Sequence, residues 1–242
     1  MDEGGALRIE SCRPAMELDG GSRRRDEAIQ AVARRIRQTA PAIVGLDFPF
    51  GLPDALIAEA TWFDFATSFG RHYVSAAEFK RICFERAGGR ELSRLTDQEA
   101  RTPFSPYNLR LYRQTYYGIR DLLAPLVTSN DACVLPMQSP VPGKTLLVEI
   151  CPASTLKSNL LNVRNYKKRS VEASESRRRI VRWLEGGPSV ILTDAVRNRA
   201  LMDSHGDAVD SLIAAYAAWR ALNVQMPHVG SEGYQREGFV FE

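Results

Sequence analysis

The sequence has no apolar run near the roughly 20 residues that a membrane span needs, and the opening MDEGGALRIE carries neither a basic n-region nor an apolar h-region. A soluble, cytoplasmic protein is therefore expected. Its four cysteines, Cys12, Cys83, Cys133 and Cys151, are scattered without a C-x-x-C pair or any metal-ligand spacing. That excludes a disulfide framework and a zinc site of the usual kind. No strong excess of either charge is present, since 32 basic and 29 acidic side chains leave a net +3. Net charge alone thus does not argue for a polyanion partner. What remains is a chain of 242 residues with 44% apolar content, enough to bury a core without covalent staples.

Periodicity supplies a coarse plan. Residues 6–15 alternate in period two as a half-buried strand, and residues 22–38 carry Ile29, Val32, Ala33 and Ile36 at helical spacing. Residues 42–46 form a short apolar run without alternation, as in a strand buried on both faces, which stops at Asp47. Residues 48–53 must then be loop, because Pro49 and Pro53 do not fit a central strand. Residues 54–130 read as a mostly helical insertion within a single domain spanning residues 1–242. Two further strands are expected at 132–136 and 145–150, joined as a hairpin or by a short connection. Helices follow at about 172–184 and 207–222, and the tail at 233–241 is expected to add an edge strand.

Four acidic residues, at three places in the chain, invite chemistry. Asp47 ends a buried strand, where a carboxylate is costly to desolvate without a cation or hydrogen bonds, and the carboxyl ends of strands are where open α/β sheets bind ligands. A turn aspartate bonding the following loop is the plainer alternative. Asp207 and Asp210, in HGDAVDSL, are three apart and share one side of a helix. A metal would turn their repulsion into attraction, whereas acidic residues favouring a helix N-terminus would explain them without one. Glu149 interrupts the apolar run LLVEI, so it must face a polar cleft or pair with an arginine.

The ordered motifs VGLDFPFGLP, EICPAS, GDAVDSLIAAYAA and EGFVF resemble a domain-of-unknown-function family described as predicted ribonuclease H-like nucleases. TPFSPYNLRLYRQTYYGIRDLLAPL is similar to one branch of it. The resemblance implies an α/β fold, a mixed sheet flanked by helices, with Asp47 on the fourth core strand, Glu149 on or near the fifth and the Asp207/Asp210 pair on the last core helix. That pair is also similar to the D-x-x-D of Holliday-junction resolvases. Such enzymes begin with a three-stranded meander whose first strand carries a metal-binding aspartate. This chain starts at what reads as the third strand, and Asp2 and Glu3 belong to no apolar strand, so the N-terminal hairpin is expected to be missing and the N-terminus incomplete.

The function expected on this basis is Mg²⁺- or Mn²⁺-dependent phosphodiester hydrolysis, inefficient in this chain because the first-strand ligand is absent. Asp47, Asp207 and Asp210 would hold metal and Glu149 would ligate it or orient water; oxygen ligands alone suit hard cations. The alternative is a non-catalytic nucleic-acid-binding protein. It draws on Arg110, Arg113 and Arg120 interleaved with Tyr107, Tyr112, Tyr116 and Tyr117, and on a second basic stretch, 164–182, that includes Lys167 and Lys168. Two other readings fail. Gly143-Lys144-Thr145 lacks the first P-loop glycine, Gln138 standing there, and precedes a strand instead of a helix. Nothing places His205 beside Cys151 as a base for a nucleophile.

Overall fold

A computed structural model describes residues 5–161, 163, 165–187, 190–222 and 232–242. Asp2, Glu3 and Arg164 lie outside the described residues. The fold is α/β. No helix among the described residues is long and apolar enough to cross a membrane.

The first strand, β1 (Leu7–Ile9), is shorter than the alternation over 6–15 suggests, since Pro14 opens a 3-10 turn at Ala15–Glu17. α1 (Arg25–Gln38) follows, with Asp26 and Glu27 in its first turn and Arg35 and Arg37 in its last, each sign at the end where the helix dipole favours it. β2 (Ile43–Leu46) is the expected apolar strand and ends at Asp47. The insertion is helical as expected: α2 (Trp62–His72), α3 (Ala76–Arg86) and α4 (Leu95–Glu99) precede α5 (Tyr112–Tyr117). A π-helical stretch at Gly118–Leu123 then leads into α6 (Ala124–Thr128). Thr61 and Ser75 cap α2 and α3 by accepting from the Asp64 and Glu78 backbone N–H groups.

β3 (Ala132–Leu135) and β4 (Thr145–Ile150) come next, then α7 (Pro152–Ser158), α8 (Val171–Gly186), β5 (Val190–Leu192), α9 (Asp194–Met202) and α10 (Asp207–Arg220). The chain ends with α11 (Glu232–Glu237) and β6 (Val240–Phe241). β4 is central: β2 pairs with it in parallel, Leu46 opposite Glu149, and β3 pairs on the other edge, Ala132 opposite Thr145. β6 joins β4 at Glu149 and Ile150.

Four expectations change here. β3 and β4 are parallel, so residues 136–144 return the chain to the start of β4 as a short connection and a hairpin is ruled out. β1 leaves the main sheet and pairs with β5 as a separate two-stranded ribbon. All pairings among the described residues are parallel where a mixed sheet is expected, because no antiparallel meander precedes β2. The tail strand shrinks to two residues, with residues 232–237 helical instead. Among the described residues no strand pairs with the outer edge of β2.

Strand alternation assigns the two sheet faces. Leu147 joins the aromatic-rich core of α1 and the insertion helices, whereas Val148 and Ile150 join the alanine face of α10, built from Ala214, Ala217 and Ala218. Gly45 lets β2 and α10 meet closely. A Cβ there would lie 2.9 Å from the Ala214 carbonyl oxygen and 2.8 Å from Ile150 Cγ1, so even alanine would force them apart. A third core, of Ile180, Leu184, Leu192, Val196 and Ile213, fixes α8, α9 and β5 against α10.

Candidate active site

Because β2 and β4 are parallel, their carboxyl ends open at the same edge. A cleft of about 210 Å³ lies there between the core, from which Asp47, Glu149 and Lys167 line it, and the insertion, which contributes Arg94, Phe104 and Arg110. The alternation that turns Gly45 toward α10 continues to Asp47, which brings its carboxyl group to Asp210 in the first turn of that helix.

Asp47 carries a strongly perturbed acid. Burial, then the nearby charges of Asp210 and Glu149, push its pKa up to about 7, while Lys167 opposes them. Nothing among the described residues donates a hydrogen bond to that carboxylate. Its backbone carbonyl accepts from the Gln114 side chain of α5, tying the strand end to the insertion.

Asp210 is buried and fully engaged. The Tyr166 hydroxyl donates to its Oδ1 at 2.6 Å and Lys167 Nζ forms an ion pair with its Oδ2. Burial raises the Asp210 pKa, against the pull of both partners. Burial alone would lower Lys167, but Asp210, with Asp47 and Asp207 behind it, holds the ammonium above its ordinary value. Tyr166 is raised by burial and by Asp210, so it stays a neutral donor. Gly206 makes this arrangement possible. Its φ of +82° suits glycine, and a Cβ there would sit 2.8 Å from Lys167 Cγ and 3.1 Å from the Tyr166 ring.

Asp207 does not join the cleft. It is exposed and lines a neighbouring groove with Cys12, Arg13 and Arg199, although its charge is felt by Asp210 and Lys167. The expected three-aspartate cluster therefore becomes a pair, half-buried Asp47 beside buried Asp210, with Asp207 on the rim. Among the described residues no three His, Cys, Asp or Glu side chains form a group that could hold a metal ion.

Glu149 takes the ion-pair alternative while remaining in the cleft wall. Arg94 donates to Oε1 at 2.5 Å and to Oε2 at 2.8 Å, and the Phe50 backbone N–H donates to Oε2 at 2.8 Å. Arg94 and Glu149 are almost fully buried, and Asp97 completes the pairing with Arg94 at 2.8 Å. Burial would lower the Arg94 pKa, but Glu149 and Asp97 outweigh it and raise it. Glu149 is thus committed to holding Arg94 and the loop after Asp47, and the ligand role expected of it does not fit.

The basic residues divide as well. Arg110 lines the cleft with its guanidinium 5.4 Å from the Phe104 ring centroid; Arg113 and Lys168 are exposed. Lys167 belongs to the acidic pair instead of to a basic track. Tyr107, Tyr112 and Tyr116 are buried in the insertion core and Arg120 is bonded to Asp121, so that part of the expected aromatic–arginine surface is closed. Arg177 is buried too and donates to the carbonyls of Tyr166, Lys168 and Leu201, bracing the segment that carries Lys167. Burial raises the Cys151 thiol to about 11, so it is no thiolate at neutral pH.

Sequence reasoning missed Arg94, Gln114 and Tyr166. A buried glutamate demands an arginine, but nothing in a single sequence says which one. No family model, no curated protein and no solved structure matches the chain.

Proposed function

We propose that the chain is a divalent-metal-dependent nuclease on a ribonuclease H-like fold, working in the cytoplasm at the cleft between the β2–β4 edge and the insertion. The observation that carries this reading is Asp47: a half-buried carboxyl group raised to about 7, without a hydrogen-bond donor among the described residues, beside the buried carboxylate of Asp210 at the carboxyl ends of two parallel strands. Two such groups together call for a cation. Lys167 now supplies one, and its side chain is half exposed, with solvent to withdraw into.

The donor set fits Mg²⁺ or Mn²⁺, which prefer oxygen ligands. Asp47 and Asp210 would hold the ion, and Asp207 would approach from the rim or act through bound water. A metal so placed supplies an activated water and stabilises the leaving oxygen. The protein's own part is to keep Asp47 deprotonated only when a cation is near, to hold Asp210 through Tyr166, and to present Arg110 to a phosphate. Four free cysteines agree with a reducing cytoplasm.

A second reading, a nucleic-acid-binding protein without catalysis, is favoured by the Lys167–Asp210 ion pair, which neutralises one carboxylate with no metal. Mn²⁺ titration separates the two. Line broadening of the Asp47 and Asp210 NMR signals at low Mn²⁺, lost in Asp47→Asn, supports the nuclease; a cleft that ignores millimolar Mn²⁺ supports the binding protein.

A further inference from the structure

The dimensions and walls of this cleft limit what can reach Asp47. Its volume of about 210 Å³ suits one base-sized group and falls short of the roughly 300–1,000 Å³ of pockets that enclose a whole drug-sized ligand, so the rest of a nucleotide must lie at the rim. One side is the β2–β4 edge, from Asp47 to Pro49 and from Cys151 to Ala153; the other is the insertion, Thr102 to Phe104 with Arg110, Leu111 and Gln114. Asp47 lines this cleft and is half-buried. A paired base brings its partner and a second backbone with it, more than a cleft of about 210 Å³ can enclose.

At the rim the chemistry changes from acidic to apolar and cationic. Phe104 is half-buried and offers a ring, flanked by Pro103 and Leu111. Arg110 is exposed, stands over that ring at 5.4 Å and has no carboxylate partner among the described residues. An aromatic face beside an unpaired guanidinium matches a nucleobase and its phosphate, the combination that single-strand-binding sites use.

From these features we infer that the cleft admits one unpaired nucleotide at a time, so the substrate class is single-stranded nucleic acid or a frayed or overhanging end, with Phe104 stacking on the base and Arg110 taking the phosphate. This rests on the nuclease reading for its reaction, but the strand preference stands on geometry alone. A blunt duplex must first unpair its terminal nucleotide, which costs a few kcal/mol.

The test is fluorescence anisotropy with the full chain in EDTA, comparing a labelled short single strand with a blunt duplex of the same sequence at one salt concentration. The single strand should bind at least about tenfold more tightly, and Phe104→Ala should weaken it at least about fivefold while leaving duplex affinity unchanged. Phe104→Leu, which keeps the apolar contact, should lose the stacking yet melt like the wild type, which guards against a folding artefact. Equal affinity for the duplex, or no effect of either variant, overturns the inference. The nuclease reading fails separately. Single-strand preference without cleavage in Mg²⁺ or Mn²⁺ sinks that reading and leaves this one, metal-dependent cleavage of blunt duplex does the reverse, and absence of binding to both oligonucleotides defeats both.

Discussion

Replacing Asp47 with asparagine should stabilise the protein, and by an amount that depends on pH. Asp47 titrates at about 7 in the folded chain, against an ordinary value of 3.8. A carboxyl group raised in this way binds its proton more tightly when folded, so the stability it confers is complete below about pH 4. That stability is lost as pH rises through about 7. The difference between the two values corresponds to up to about 4 kcal/mol by pH 8, the free energy of keeping an ionised carboxylate half-buried beside Asp210. Asp47→Asn removes the charge and keeps the shape. Urea unfolding of both proteins should therefore give nearly equal midpoints at pH 4.5 and a higher midpoint for the variant at pH 8. For a chain of this size, 4 kcal/mol corresponds to roughly 8–16 °C in melting temperature. A variant less stable than the wild type at pH 8, or a difference that ignores pH, would refute the placement of Asp47 in an acidic pair with Asp210.

Arg94→Met should cost about 3–5 kcal/mol in urea unfolding, because it leaves Glu149 and Asp97 buried without their counter-charge; a loss under 1 kcal/mol would mean that water reaches them. Gly206→Ala should destabilise by about 1–2 kcal/mol from the left-handed backbone alone. It should also push Lys167 off Asp210, seen by NMR as a further rise in the Asp47 titration, and an unchanged titration would contradict the contact. Arg110→Ala with Arg113→Ala should weaken oligonucleotide binding across sequences and reduce its salt dependence. Unaltered salt dependence would remove both from the interface.

The parts of this account that a single sequence can carry are those fixed by local patterning. The apolar run before Asp47 shows a buried strand end, and the i, i+3 spacing of Asp207 and Asp210 shows two acids on one side of a helix. It does not show that this helix turns only Asp210 inward. Nor does it show the sheet faces: in the structure Asp47, two residues beyond Gly45, lies on the α10 side, whereas Glu149, two beyond Leu147, lies on the side of the insertion and pairs with Arg94. Gly45 and Gly206 look like ordinary glycines until the contacts they permit are visible. The basic stretch misleads because charge runs are usually solvated, and here Arg177 and Lys167 are turned inward by carbonyls and by Asp210. β5 was readable as the apolar VIL after Gly186-Gly187-Pro188. Its pairing with β1 was not, because partners 180 residues apart leave no local trace.

Cleavage of an end-labelled single-stranded oligonucleotide by the purified chain, with EDTA, Mg²⁺ or Mn²⁺, tests the central claim most directly. Products should form only with metal, and Asp47→Asn and Asp210→Asn should each lower the rate at least about a hundredfold while remaining folded. No cleavage with either metal, or full activity in Asp47→Asn, would contradict it.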